Sequence, residues 1–240
     1  MHLVDHVLVL LLFVVQPVYG VYEVRRYTAL EKAGRSIDRV GFYRSTALIE
    51  WVFLAVLVTA WITLGRPFED LGFVSPGGPG FWIGAALVVG LIGFLLYAWQ
   101  TAKRASDSEK ARQLEGLEGV RIFLPHTARE LHNFFGVSIT AGVVEEIVYR
   151  GFVLWYLVQF MPLWVAVIVA SVIFGLGHSY QGINGASRAG LVGLAFGILY
   201  VGTGSIWLPI IAHMLLDVLQ GGTIYELLRK RNDAMKPQAA

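Results

Sequence analysis

Residues 133–157 form an apolar stretch that is interrupted in its middle by Glu145-Glu146-Ile147-Val148-Tyr149-Arg150. The stretch is long enough to cross a hydrocarbon core of about 30 Å, which takes ~17–25 helical residues. A charged side chain near mid-membrane carries a penalty of roughly 2.5–3.5 kcal/mol on insertion scales. Three such residues within six therefore read as a protected polar site, not as a lipid-facing surface. Two later apolar stretches repeat the pattern, with His178 four residues after Phe174 and Asp217 four residues after His213. Ionisable groups on separate membrane segments mark a functional site by default.

The rest of the chain supports the membrane reading. Of 240 residues, 56% are hydrophobic and 15% charged, against about 25% charged in soluble domains. Apolar stretches near 3–22, 45–64, 80–100, 133–157, 160–178, 186–203 and 205–221 predict an all-α polytopic transmembrane helix bundle of about seven spans. The last two are separated only by 202–204, which predicts a tight hairpin. The first carries Asp5 and no basic residue at its leading end. A signal peptide needs a basic leading region, so this stretch is expected to be a retained helix. The chain reads as one integral-membrane domain, 1–240, with a motif-bearing core at about 130–220 and less diagnostic helices in 1–125.

Basic residues orient it. Arg25, Arg26, Lys32, Arg35, Arg39 and Arg44 precede the second span; Lys103, Arg104, Lys110, Arg112, Arg121 and Arg129 precede the fourth. Arg188 and the tail residues Arg229, Lys230, Arg231 and Lys236 fall on the same side. Seventeen of nineteen cations thus share one face; Arg66 lies opposite and Arg150 within a span. Positive loops stay cytoplasmic, which predicts an external N-terminus and a cytoplasmic C-terminus. Cysteine is absent, excluding disulfides and thiolate metal sites. Nothing points to nucleic acid as a partner; the lipid bilayer is the expected one.

Residues 101–132, with Leu114, Leu117, Val120, Ile122 and Leu124 among charges, suit an amphipathic helix on the cytoplasmic membrane face or a solvated linker. Gly190, Gly193 and Gly197 share one helix face and suit close helix packing.

The chemistry follows from spacing. Arg150 lies four residues after Glu146, the favourable order for a helical ion pair. Glu145 is rotated from Glu146 by ~100° and is left to face elsewhere, poised to take a proton from water. Asp217, one turn after His213, can orient that ring or share a metal with it. His2, His6, His126 and His132 lack such partners and are expected at interfaces. His-Glu-x-x-His, Gly-x-Ser-x-Gly and a phosphate loop are all absent. A carboxylate base, two imidazoles and a further carboxylate can activate water and stabilise an oxyanion. Alternatively His178, His213, Asp217 and Glu145 could hold a divalent ion such as zinc.

Glu-Glu-x-x-x-Arg, Phe-x-x-x-His and His-x-x-x-Asp, in this order on separate helices, resemble the CPBP intramembrane proteases over about residues 130–220. That family includes the type II CAAX prenyl endopeptidases and bacterial Abi-type proteins linked to bacteriocin processing or self-immunity. Gly151 after Arg150, and Gly-Ser-Ile-Trp-Leu-Pro before His213, add to the likeness. The resemblance implies an intramembrane endopeptidase of a bacterial inner membrane, acting on a membrane protein or lipidated peptide. Glu145 would be the general base, and His178 and His213 would bind water or the scissile carbonyl. Glu146, Arg150 and Phe174 would support the site. Asp217 stands where some members have Asn, which suits orienting His213, staying protonated or binding metal. A metal-free glutamate mechanism with no required cofactor is the favoured expectation. The alternative is a non-catalytic scaffold or self-immunity protein that retains the fold; a transporter would be expected to show paired repeats, and none is seen.

Depth poses a problem. Starting span four at 133 puts Glu145 about 18 Å deep, while His178 ends span five near the cytoplasmic side. A later or tilted span, or a polar cavity open to the cytoplasm, would bring them together; a cavity is favoured because hydrolysis needs water.

Overall fold

The computed structural model describes residues 1–115 and 118–234. Among these residues there is no strand, and the chain is an all-α polytopic membrane bundle. Helix α1 spans Leu3–Lys32, α2 Arg39–Thr63, α3 Gly78–Arg104 and α4 Asp107–Glu115. Helix α5 runs Ala128–Glu146, widens into a π-helical segment at Ile147–Val153 and closes with Leu154–Leu157. Helices α6, α7 and α8 cover Leu163–Gly177, Gly182–Thr203 and Trp207–Ala234. Each of the seven expected apolar stretches is a helix.

Five of them (α1, α2, α3, α7 and α8) are long and apolar enough to cross a membrane. α5 is excluded from that class by its own charges. α6 has 15 residues, about 22 Å, and falls short of the ~30 Å hydrocarbon thickness.

Local signals set the helix ends. Asp38 Oδ1 accepts from Gly41 N at the start of α2 (2.9 Å). Thr127 and Glu130 form a reciprocal capping box at the start of α5, an arrangement that satisfies two otherwise orphaned donors. α5 therefore begins at Ala128, five residues before the apolar stretch. Gly204, at φ +65°, ends α7 in the left-handed conformation that glycine adopts without penalty, and α8 follows after a short turn.

Between lipid-embedded helices, association rests on close packing and polar contacts. α5 packs against α2 and α8, α6 against α7, and α8 also against α3. A Cβ on Gly142 would lie 2.6 Å from Met214 N, so glycine lets α5 meet α8 beside His213. On the glycine face of α7, a Cβ on Gly197 would fall 2.9 Å from Val167 Cγ1. Gly190 faces Gly175 of α6, where an added Cβ would lie 3.2 Å from the Gly190 Cα.

The two ends of the bundle differ in chemistry. At one end Tyr27, Phe42, Phe123 and Tyr180 form an aromatic cluster, and Arg39 Nε donates to Ile122 O (2.9 Å). At the other, Arg66 makes a bidentate pair with buried Asp5 (2.7 and 2.8 Å) and lies over the rings of Trp61 and Trp155. The segment 101–132 holds a helix at Asp107–Glu115 and packs on the bundle. Leu114 and Leu124 pack with Ala102, Leu227 and Leu228, Ile122 packs with Tyr27, and Tyr43 Oη donates to Phe123 O (2.6 Å). Leu114, Ile122 and Leu124 are thus buried within the protein. Leu117 and Lys236 lie outside the described residues.

Candidate active site

Glu146 and Arg150 form the centre of the arrangement. Arg150 Nη1 donates to Glu146 Oε1 at 2.6 Å, and its Nη2 donates to the carbonyl of Gly193 at 2.9 Å. The guanidinium lies 4.6 Å from the Phe174 ring and 5.6 Å from that of Phe196. Neither side chain of the pair is more than 4% exposed. Gly193 leaves room for this: a Cβ there would stand 3.1 Å from Phe174 and 3.3 Å from Arg150.

The same Glu146 oxygen lies 2.8 Å from Nδ1 of His213. His178 caps the end of α6, and its Nδ1 lies 2.8 Å from the Phe174 carbonyl oxygen. A carbonyl, like an ionised carboxylate, can only accept, so each ring donates through Nδ1. In the neutral tautomers both Nε2 atoms are then free acceptors. Both stand 4.0 Å from the same atom, Glu145 Oε2. That oxygen is buried and has no hydrogen-bond partner. Asp217 Oδ2 lies 3.6 Å from His213 Nε2, on a side chain 35% exposed. Glu146, and not Asp217, therefore holds a ring nitrogen of His213 at hydrogen-bond distance. Phe174 packs against His178 with ring centroids 4.6 Å apart.

All seven residues singled out in the sequence thus converge on one region. Among the histidines set aside, His6 Nδ1 contacts Tyr156 Oη at 2.8 Å, His132 is exposed and His126 is half-buried.

Among the described residues, no group of three or more His, Asp or Glu side chains is arranged to hold a metal ion. Donors 2.0–2.1 Å from a tetrahedral zinc lie about 3.4 Å apart, closer than the 4.0 Å found here. A water molecule hydrogen-bonded to both partners separates them by about 4–4.5 Å. Glu145 and the two histidines are spaced for a bridging water, whereas His213 Nε2 and Asp217 Oδ2, 3.6 Å apart, come near the zinc spacing.

The short α6 answers the question of depth. Helices α5 and α6 meet at 158–162; Glu145 lies about 18 Å from that turn and His178 about 22 Å. Because α6 stops inside the bundle, its last residue reaches the carboxylate. A cavity of about 440 Å³ adjoins them, walled by α1, α2 and α5, with Glu145, Tyr149 and His178 in its lining; that lining is mostly apolar and not the polar one expected.

Three contributors escaped the motif reading. Phe196 packs on His213 (5.4 Å) as well as on Arg150. Gln16 accepts from Tyr149 Oη at 2.7 Å, tying α1 to α5; no spacing rule links residues 133 positions apart. Glu50 lines the cavity from α2, and its signal was an acid inside the apolar stretch 45–64.

Known proteins match the part of the chain that carries these residues. Residues 127–219 match the model of the Rce1-like family, described as type II CAAX prenyl endopeptidase Rce1-like. The chain is 31% identical over 80 residues to a Bacillus subtilis (strain 168) protein named "Putative membrane peptidase YdiL". That match covers 33% of this chain and 32% of the relative, so it spans about a third of the curated relative's length. No solved structure matches the chain at a significant level. The family-model match falls on residues 127–219, the region that carries the three motifs.

Proposed function

We propose that the protein is an intramembrane endopeptidase that hydrolyses a peptide bond of a membrane protein or lipidated peptide, in a bacterial inner membrane. The observation that carries this reading is Glu145 Oε2, buried, without a hydrogen-bond partner and 4.0 Å from Nε2 of two differently anchored histidines. Water between these groups gives a proton to Glu145 while its oxygen attacks the scissile carbonyl. The water's second O–H is directed to the Nε2 of one histidine. The other histidine, in its imidazolium form, donates from Nε2 to the oxyanion.

Preorganisation supports this chemistry. Glu146 holds His213, Arg150 holds Glu146, and the Phe174 carbonyl holds His178. Asp217, at the more exposed side of His213, relays protons toward solvent. No metal is assigned to the cycle, since the spacing of Glu145 from the two histidines does not fit one. Charge asymmetry supports an orientation with the Arg66 end outside and the basic end in the cytoplasm.

The test compares membrane proteomes of cells carrying wild-type protein or Glu145→Gln at equal abundance. An endopeptidase predicts a peptide that stays uncleaved in the variant. A scaffold or self-immunity protein predicts identical proteomes and an intact biological effect, and that outcome would refute the proposal.

A further inference from the structure

We propose that Glu50 is a further catalytic residue of this site, the carboxylic acid that protonates the leaving nitrogen. The inference rests on the peptidase reading and adds a residue outside 127–219, the region that matches the family model.

Glu50 lies near the middle of α2 and lines the same cavity as Glu145 and His178. Most of that lining is apolar, including Leu12, Val15 and Phe53, and no lysine or arginine is among the described residues that form it. Glu50 Oε2 is buried without a hydrogen-bond partner, as is Glu145 Oε2. Its carboxyl lies within electrostatic reach of Glu145, His213 and Asp217. Leaving a buried polar group unsatisfied is destabilising, so a purely structural Glu50 would weaken the fold for no return. A group that finds its partner in whatever enters the cavity answers that objection.

The two acids have different surroundings. Glu145 faces two imidazoles, which suits a base. Among the described residues no cation is in hydrogen-bond contact with Glu50, so its carboxylate form has no fixed partner. Two carboxyls sharing one site divide into an acid and a base in this way. In the resulting cycle, a water O–H bond breaks, its proton goes to Glu145, and the oxygen bonds to the scissile carbon. The C–N bond then breaks, its electron pair stays on nitrogen, and that nitrogen takes the proton of Glu50. The proton on Glu145 returns to Glu50 through water, and one water has been consumed.

A leaving-group comparison tests the assignment. Quenched fluorescent peptides with an apolar segment are screened for cleavage by the wild-type protein in detergent. The best is then remade with a thioester at the scissile bond, since a thiolate departs without a proton. Glu50→Gln should lower kcat on the amide by about 100-fold or more, the usual scale of general acid catalysis, with KM changed less than about threefold. The thioester should be slowed far less. Glu145→Gln should abolish turnover of both. Equal slowing of both substrates by Glu50→Gln, or no slowing of the amide, overturns the role of Glu50 while leaving the peptidase reading intact. Activity retained by Glu145→Gln overturns the peptidase reading itself. Infrared spectroscopy gives a readout free of any substrate: the wild-type protein should show a buried carboxylic-acid carbonyl band near neutral pH that Glu50→Gln removes. An unchanged spectrum counts against the proposal. If Glu50→Gln fails to fold, Glu50→Asp should keep the band, shifted, and slow the amide more than the thioester; any other pattern rejects it.

Discussion

Glu146 Oε1 lies 2.8 Å from His213 Nδ1 across 67 positions of sequence, while also accepting from Arg150 one helical turn away. One oxygen therefore locks a helix internally and ties that helix to α8. This separates the duties of the adjacent glutamates: Glu146 holds structure together, and Glu145 presents a free oxygen to the histidines.

Glu146→Ala should be both unstable and inactive. It leaves Arg150 buried without its carboxylate, a loss typically of about 3–5 kcal/mol, and releases His213. Thermal unfolding in detergent should show a lowered Tm. Glu146→Gln combined with Arg150→Met should recover part of the Tm but little activity. Glu145→Gln should be inactive at nearly the wild-type Tm, because its Oε2 makes no hydrogen bond. If Glu145→Gln is instead the more destabilising change, the two roles are reversed.

Turnover should persist in strict chelator. The basis is the 4.0 Å spacing of Glu145 Oε2 from both imidazoles, wider than the ~3.4 Å of zinc ligands. Elemental analysis and activity after dialysis provide the check. Stoichiometric zinc, with activity lost on chelation and restored by zinc alone, would decide for a metal enzyme.

Asp5 and Arg66 should hold the N-terminal helix in place. Their bidentate pair is nearly sealed from solvent, and Arg66 is stacked against Trp61 and Trp155. Asp5→Ala should destabilise by about 3–5 kcal/mol, the usual result of removing one partner of a buried pair. Asp5→Leu with Arg66→Met should be closer to wild type. Since α1 walls the cavity, the single variant should also raise KM more than it lowers kcat. A Tm within a degree of wild type would show that α1 is held by its apolar contacts alone.

A reporter fused after residue 115 should behave as cytoplasmic, and one inserted near Gly78 as external. The charge asymmetry predicts this, and the structure gathers Arg39 at the end of the bundle opposite Arg66. The reverse pattern would turn the cavity to the other side of the membrane.

Sequence alone determined the membrane class, the helices and the pair within one turn. Apolar length selects a spanning helix whatever its neighbours, and the offset from Glu146 to Arg150 is geometry internal to that helix. The residues of the three motifs were legible for the same reason, since charge in an apolar segment needs a partner. Only the tertiary structure decided which partner. The acceptor for His213 is on α5 and not one turn away at Asp217, and Gly193 O reaches Arg150 from α7. The π-helical segment after Glu146, the early stop of α6 and the place of Glu50 on the cavity wall likewise depend on how helices pack. Spacing along a chain encodes contacts within a turn, whereas contacts between helices depend on their rotation, depth and close approach, which packing decides.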